Sequence, residues 1–196
     1  MIDIENIRDA ILNNDIDFLT KTMNAYDIDA RLEEDENDTL LLFAIGCGEN
    51  ESYKFFLQNG SDVYAKNSEN ENIIHAIVYS GDVNRLDYIL SKGYYVNIDD
   101  KTVDGATPLL VSLALGNLEM AKRLIEYGAN INIADNEGLT PLHIACQEGY
   151  TEMAHLLVDK GAIVRLKSAK GNYPLMLAIA HDHEELSKFM FAKHFQ

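Results

Sequence analysis

The sequence predicts an all-α chain: a solenoid of stacked helix-turn-helix units with β-turn fingers, forming a single domain over residues 1–196. Three observations predict it. One apolar pattern opens at residues 5, 39, 72, 107, 140 and 173, at spacings of 34, 33, 35, 33 and 33, and a fixed period of this length marks a stacked repeat. Proline follows the opening residue at Pro108, Pro141 and Pro174, the first turn of a helix, where a missing N–H costs nothing. A glycine followed by a small or turn residue closes most copies, at Gly60-Ser61, Gly93-Tyr94, Gly128-Ala129 and Gly161-Ala162.

Taken in order, the units span 1–33, 34–66, 67–101, 102–134, 135–167 and 168–196. The first is a weak copy, ENIRDAILNN from Glu5, and is expected to cap the array. The second opens at Thr39 (TLLLFAIGCG), after a finger ARLEEDEND read as one residue longer than the others and heavily charged. The third opens at Asn72 with NIIHAIVYSG. The fourth opens at Thr107 (TPLLVSLALG), and the two extra residues in NIDDKTVDGA are expected to lengthen its finger. In the fifth, Leu142, Ile144 and Ala145, then Met153, Leu156 and Leu157, fit two short amphipathic helices. Gly149, with its counterparts Gly48, Gly81 and Gly116, breaks the chain between them into a helical hairpin. The sixth opens at Tyr173 (YPLMLAIAHD), and its apolar Leu186, Phe189, Met190, Phe191 and Phe195 form a cap or an association face, of which the cap is the expectation. One hairpin cannot bury its own apolar face, so each must stack on its neighbours.

The stretch TPLHIACQEGYTEMAHLLVDKGA resembles an ankyrin repeat, and ATPLLVSLALGNLEMAKRLIEYGANIN is nearly as similar. The resemblance covers essentially the whole chain. Departures such as Thr39-Leu40, Asn72-Ile73 and Tyr173-Pro174, in place of Thr-Pro, lie towards the two ends, where a repeat array needs a polar outer face.

Several residues invite a chemical reading. His75 and His143 share one slot, filled elsewhere by Leu42, Leu110 and Met176, and the resemblance implies a structural hydrogen-bonding role. His181, His183 and His194 gather near Asp182, Glu184 and Glu185, but His-x-His without a further placed ligand is a weak metal signal. Cys146 falls at a position for a small buried residue; Cys47 ends a first helix on the inner surface, where it is a candidate reactive thiol. They lie three repeats apart, beyond disulfide reach. The sequence holds no Ser-His-Asp order, no phosphate-binding glycine loop and no paired carboxylates with a plausible cleft, so the expectation is a non-enzyme without cofactor or metal.

Thirty-two acids against 16 bases give a net charge of −16, which excludes a nucleic-acid or anionic-membrane binder. The start MIDIENIRDA has no apolar signal segment, LLVSLAL is too short to span a bilayer, and two cysteines make no disulfide framework. A cytoplasmic monomer is expected. The charge is uneven: residues 1–98 hold 19 acids and 7 bases (−12), and residues 99–196 hold 13 and 9 (−4).

The resemblance implies that a protein partner meets the concave face, built from fingers and first helices. Carried over slot by slot, it assigns Asp35, Glu36, Asp38, Glu69 and Glu71 as an acidic group. Tyr79, Val103, Leu115 and Leu139 form an apolar centre with Asp104 beside it. Glu137, Gln147 and Glu148 follow, and Lys170 and His181 close the far end. The function expected is protein binding to a basic and partly apolar surface. Two alternatives remain open: an immunity or inhibitor protein neutralising a basic toxin or enzyme, and an enzyme or accessory subunit using the C-terminal histidines.

Overall fold

The computed structural model describes residues 3–47 and 51–194; Gly48, expected between two helices, and Phe195, expected in the final apolar set, lie outside them. The chain divides into two compact units, Met1–Asp100 and Lys101–Gln196. Each is a stack of helical hairpins.

In the first unit α1 (Ile4–Leu12) and α2 (Ile16–Thr22, followed by a 3-10 turn at Met23–Ala25) form the opening hairpin. A two-stranded finger, β1 (Arg31–Leu32) against β2 (Asp38–Thr39), leads to α3 (Leu40–Gly46) and α4 (Ser52–Gln58), and then come α5 (Ile73–Ser80) and α6 (Val83–Ser91). The second unit holds α7 (Pro108–Ala114) with α8 (Leu118–Glu126), α9 (Pro141–Glu148) with α10 (Thr151–Asp159), and α11 (Pro174–Ala180) with α12 (Glu184–His194). First helices stack on first helices: α3 on α1 and α5, and α9 on α7 and α11.

The opening residues do what their chemistry allows. Thr39, Thr107 and Thr140 take extended backbone, and each hydroxyl accepts from the amide three residues on, at 3.2, 3.4 and 3.4 Å, which satisfies a donor the helix start leaves orphaned. Asn72 does the same with Ile74 and His75. At Tyr173 the side chain caps nothing. The first copy departs from expectation: its helix starts at Ile4, capped by Asp3, so Glu5 lies inside it.

The shared histidine slot is structural. His75 and His143 are wholly buried, and each Nδ1 faces the N-cap backbone amide, closing a capping box with Asn72 or Thr140. Nε2 of His143 also bonds the Asn172 carbonyl in the next hairpin at 3.1 Å. Where leucine fills the slot, as at Leu110, burial alone serves.

Two loop lengths differ from the sequence reading. Four fingers close by the same bond, from an amide to the carbonyl four residues on: Asn67 to Glu71, Thr102 to Ala106, Asp135 to Leu139 and Ser168 to Asn172. The finger before α7 is therefore of ordinary length. The turn ahead of it starts at Asn97, four residues past Gly93, whereas Asp62, Asn130 and Ile163 start theirs two past Gly60, Gly128 and Gly161. The extra pair lies at Tyr94–Val96, in the exit from α6. The first finger is longer by two residues, not one, because Leu32 pairs with Asp38 six residues on.

Neighbouring fingers are tied tip to tip by main-chain bonds: Ser68 N–H to Glu36 O in the first unit, Asn136 to Asp104 and Ala169 to Glu137 in the second. Such contacts demand bare backbone. A Cβ on Gly138, at φ +75°, would stand 2.8 Å from the Ala169 nitrogen.

Between the helices lies the core. Ile7, Ile11, Leu19, Phe56, Ile73, Ile77 and Leu86 are fully buried in the first unit, and Leu109, Leu113, Leu124, Ala145 and Leu157 in the second. Each large side chain contributes about 1.5–3 kcal/mol by leaving water.

Candidate partner-binding surface

In the first unit the finger and first-helix positions form a connected polar network. The Asn67 amide nitrogen donates to Asp38 Oδ1 at 2.9 Å and to Glu71 Oε2 at 2.8 Å, so one side chain holds two carboxylates. Tyr79 Oη donates to Glu71 Oε1 at 2.5 Å. Burial, then its bond to Glu71, pushes the Tyr79 phenol well up, so it stays a donor. Burial raises Asp38 to about 6; the Asn67 bond opposes this, and Glu71, Glu36 and Asp35 add to it. Glu36 is exposed and Glu69 half-buried beside Asn67, whose side-chain oxygen accepts from the Glu69 and Glu71 amides.

Asp35 differs from its neighbours. Its carboxylate is gripped by Arg8 of α1, Nε to Oδ2 at 2.8 Å and Nη2 to Oδ1 at 3.4 Å, so this acid is already matched within the unit. Arg8 was not on the candidate surface, and no local pattern marks a partner 27 residues away. Asn67 was missed for the same reason. Cys47, expected as a reactive thiol, is half-buried, and burial followed by Asp35 raises its pKa. A thiol held protonated is a poor nucleophile.

In the second unit the same slots are more apolar and more open. Val103 and Leu115 are 52% and 56% exposed, with Asp104 exposed beside Val103 and Leu139 half-buried. Glu137 is exposed and lies 3.5 Å from the Lys170 ammonium. Gln147 donates to Glu148 at 2.9 Å. His181 is exposed, its ring 6.3 Å from that of His183. His183 serves the fold: its Nε2 bonds the Gln147 carbonyl at 2.9 Å and its ring lies against Gly149, where a Cβ would clash at 2.5 Å. His155 stacks on Phe189 at 3.7 Å. Among the described residues no group of three His, Cys, Asp or Glu could hold a metal ion. No described helix is long and apolar enough to cross a membrane.

Hairpins of about 33 residues joined by tied fingers define a class, and comparison with known proteins agrees. A family model described as ankyrin repeats (3 copies) matches residues 41–135, 74–168 and 116–196; the chain belongs to the ankyrin repeat family. Such repeats are protein–protein interaction modules. Over 138 residues, 69% of the chain, it is 27% identical to the phosphocholine transferase AnkX of Legionella pneumophila. Over 76 residues, 39% of the chain, it is 33% identical to delta-latroinsectotoxin-Lt1a of Latrodectus tredecimguttatus. These matches span 14% and 6% of the two relatives.

Proposed function

We propose that this chain is a non-enzymatic binding module whose fingers and first helices take a protein partner with a basic and partly apolar surface. One observation carries the reading. Among the described residues, Glu36, Asp38, Glu69 and Glu71 share a small region of the first unit without an ion pair, while Asp35 alone has its cation. Like charges this close repel, and a lysine or arginine from a partner relieves that repulsion. The exposed Val103 and Leu115 of the second unit supply apolar contact. Charge of this kind chiefly speeds encounter, and apolar burial chiefly slows release.

Affinity capture from a lysate of the source organism tests it, with three baits compared: the wild type, Glu36→Lys/Glu71→Lys, and Leu115→Glu. A specific partner should be captured by the wild type, elute as salt rises, lose association rate on the charge-reversed bait and dissociate faster from Leu115→Glu. A partner retained equally by all three baits would sink the proposal.

A further inference from the structure

Of the 17 asparagines in the sequence, Asn59 is the one followed by glycine. A backbone nitrogen that loses its proton attacks the side-chain amide of the asparagine before it, and a Cβ on the attacking residue is the main obstacle. Gly60 has none. The structure removes other obstacles. Asn59 is the exposed C-cap of the seven-residue α4. Gly60 stands at φ +89°, and beyond its chain neighbours no heavy atom lies within 4 Å of where a Cβ would be. Its N–H meets the Leu57 carbonyl at 3.4 Å, longer than an ordinary bond of this kind. What holds the Asn59 side chain is one bond, from Nδ2 to the Phe55 carbonyl at 2.8 Å, in a last turn of the sort that opens at low cost.

Asn67, the asparagine followed by serine, shows the reverse. Its amide nitrogen donates to Asp38 and Glu71, and its side-chain oxygen accepts from the Glu69 and Glu71 amides. The Ser68 nitrogen that would attack it donates to the Glu36 carbonyl at 2.9 Å. Both reacting groups are tied.

We propose that Asn59 is a site of spontaneous deamidation in the folded chain. The Gly60 nitrogen gives its proton to solvent base and bonds to Asn59 Cγ; the bond from Cγ to Nδ2 breaks, and ammonia leaves with a proton from solvent. Water then opens the five-membered imide at either carbonyl, giving aspartate or isoaspartate. The product has lost the donor that Nδ2 offered to the Phe55 carbonyl. It also sets a negative charge at the C-terminal end of α4, where the helix dipole disfavours it. Deamidation therefore loosens the hairpin that carries the buried Phe56.

Ageing the full-length folded chain in warm, mildly alkaline buffer tests this, followed by isoelectric focusing and peptide mass spectrometry. The net charge should move from −16 to −17. The tryptic peptide of residues 55–66, FFLQNGSDVYAK, should gain one mass unit before any other asparagine-containing peptide of the folded chain does. Gly60→Ala should slow that gain severalfold. Asn59→Asp, which makes one of the two products directly, should melt below the wild type. In isolated tryptic peptides Asn67 should convert as well, whereas in the folded chain it should stay an amide. Another asparagine converting first in the folded chain overturns the inference, as do equal rates for wild type and Gly60→Ala. An Asn59→Asp chain that melts with the wild type overturns the claimed loosening of α4.

Discussion

The two units make the same hairpin from different residues. In Lys101–Gln196 each finger turns through a glycine at positive φ, Gly105, Gly138 and Gly171, and each first helix begins with proline. In Met1–Asp100 the matching finger position is Asn70 at φ +63°, the first finger turns through Glu36 and Asn37 at φ +52° and +61°, and α3 and α5 start with Leu40 and Ile73. Left-handed backbone is costly for residues with a Cβ. Repetition thus fixes the fold while leaving local stability adjustable, and the acidic unit is the less optimised one.

The largest expected effect tests whether the units are separable. Phe56→Ala should cost about 3–5 kcal/mol and Leu124→Ala about 2–5 kcal/mol. Seven of the ten tyrosines lie in residues 1–100, and the chain has no tryptophan, so tyrosine fluorescence reports mainly on the first unit. In urea, Phe56→Ala should move the fluorescence transition ahead of the circular dichroism transition, and Leu124→Ala should not. Coincident transitions in both variants would show that the units unfold as one.

Next come the fingers. Gly138→Ala adds a clash with Ala169 to an unfavourable φ and should cost about 1–3 kcal/mol. Gly60→Ala, with nothing within 4 Å, meets only the φ penalty of about 1 kcal/mol. Asn70→Gly should stabilise the first unit by about 0.5 kcal/mol, narrowing the gap between the units. Thermal melts rank all three.

Caps contribute less. Thr140→Ala should cost about 1 kcal/mol, and Tyr173→Thr, which installs the missing cap, should return about half of that. Equal melting temperatures for Tyr173→Thr and wild type would show that another contact serves α11.

The effects of pH have opposite signs in the two units. Asp38 is raised to about 6 when folded, so the folded chain binds its proton more tightly than the unfolded chain. That contribution is full below the ordinary value of 3.8 and is lost as pH rises through 6. His143 is lowered by burial from 6.5; its contribution is present above that value and is lost as pH falls towards the folded pKa. Asp38→Asn should therefore gain on wild type as pH rises from 4 to 7. His143→Leu should instead flatten the loss of stability below 6.5. Parallel pH curves for either variant and wild type would remove that group from the balance.

The repeat period, the proline starts, the histidine slot and the buried Cys146 were all legible in the sequence, because each depends on residues within one hairpin. What escaped depends on residues roughly one repeat apart or on chain geometry. The pairing of Asp35 with Arg8, the sharing of Asn67 between Asp38 and Glu71, and the seat of His183 on Gly149 join residues up to 34 positions apart or cross from one hairpin to the next. The loop lengths were misplaced because spacing counts residues without locating them: Tyr94 and Tyr95 resemble neither helix nor finger, and only the hydrogen bonds of the turns assign them. The start of α1 was misjudged because Asp3 offered an earlier cap than the pattern required.

Both native thiols are held protonated near neutral pH: burial pushes the Cys146 thiol up to about 12 and raises that of Cys47. The molecule therefore comes with a clean background for labelling. A cysteine introduced at Val103 or Leu115 would outpace both natural ones with maleimide dyes near neutral pH, so a fluorophore could be set on a finger or at the end of α7 without first removing the native cysteines.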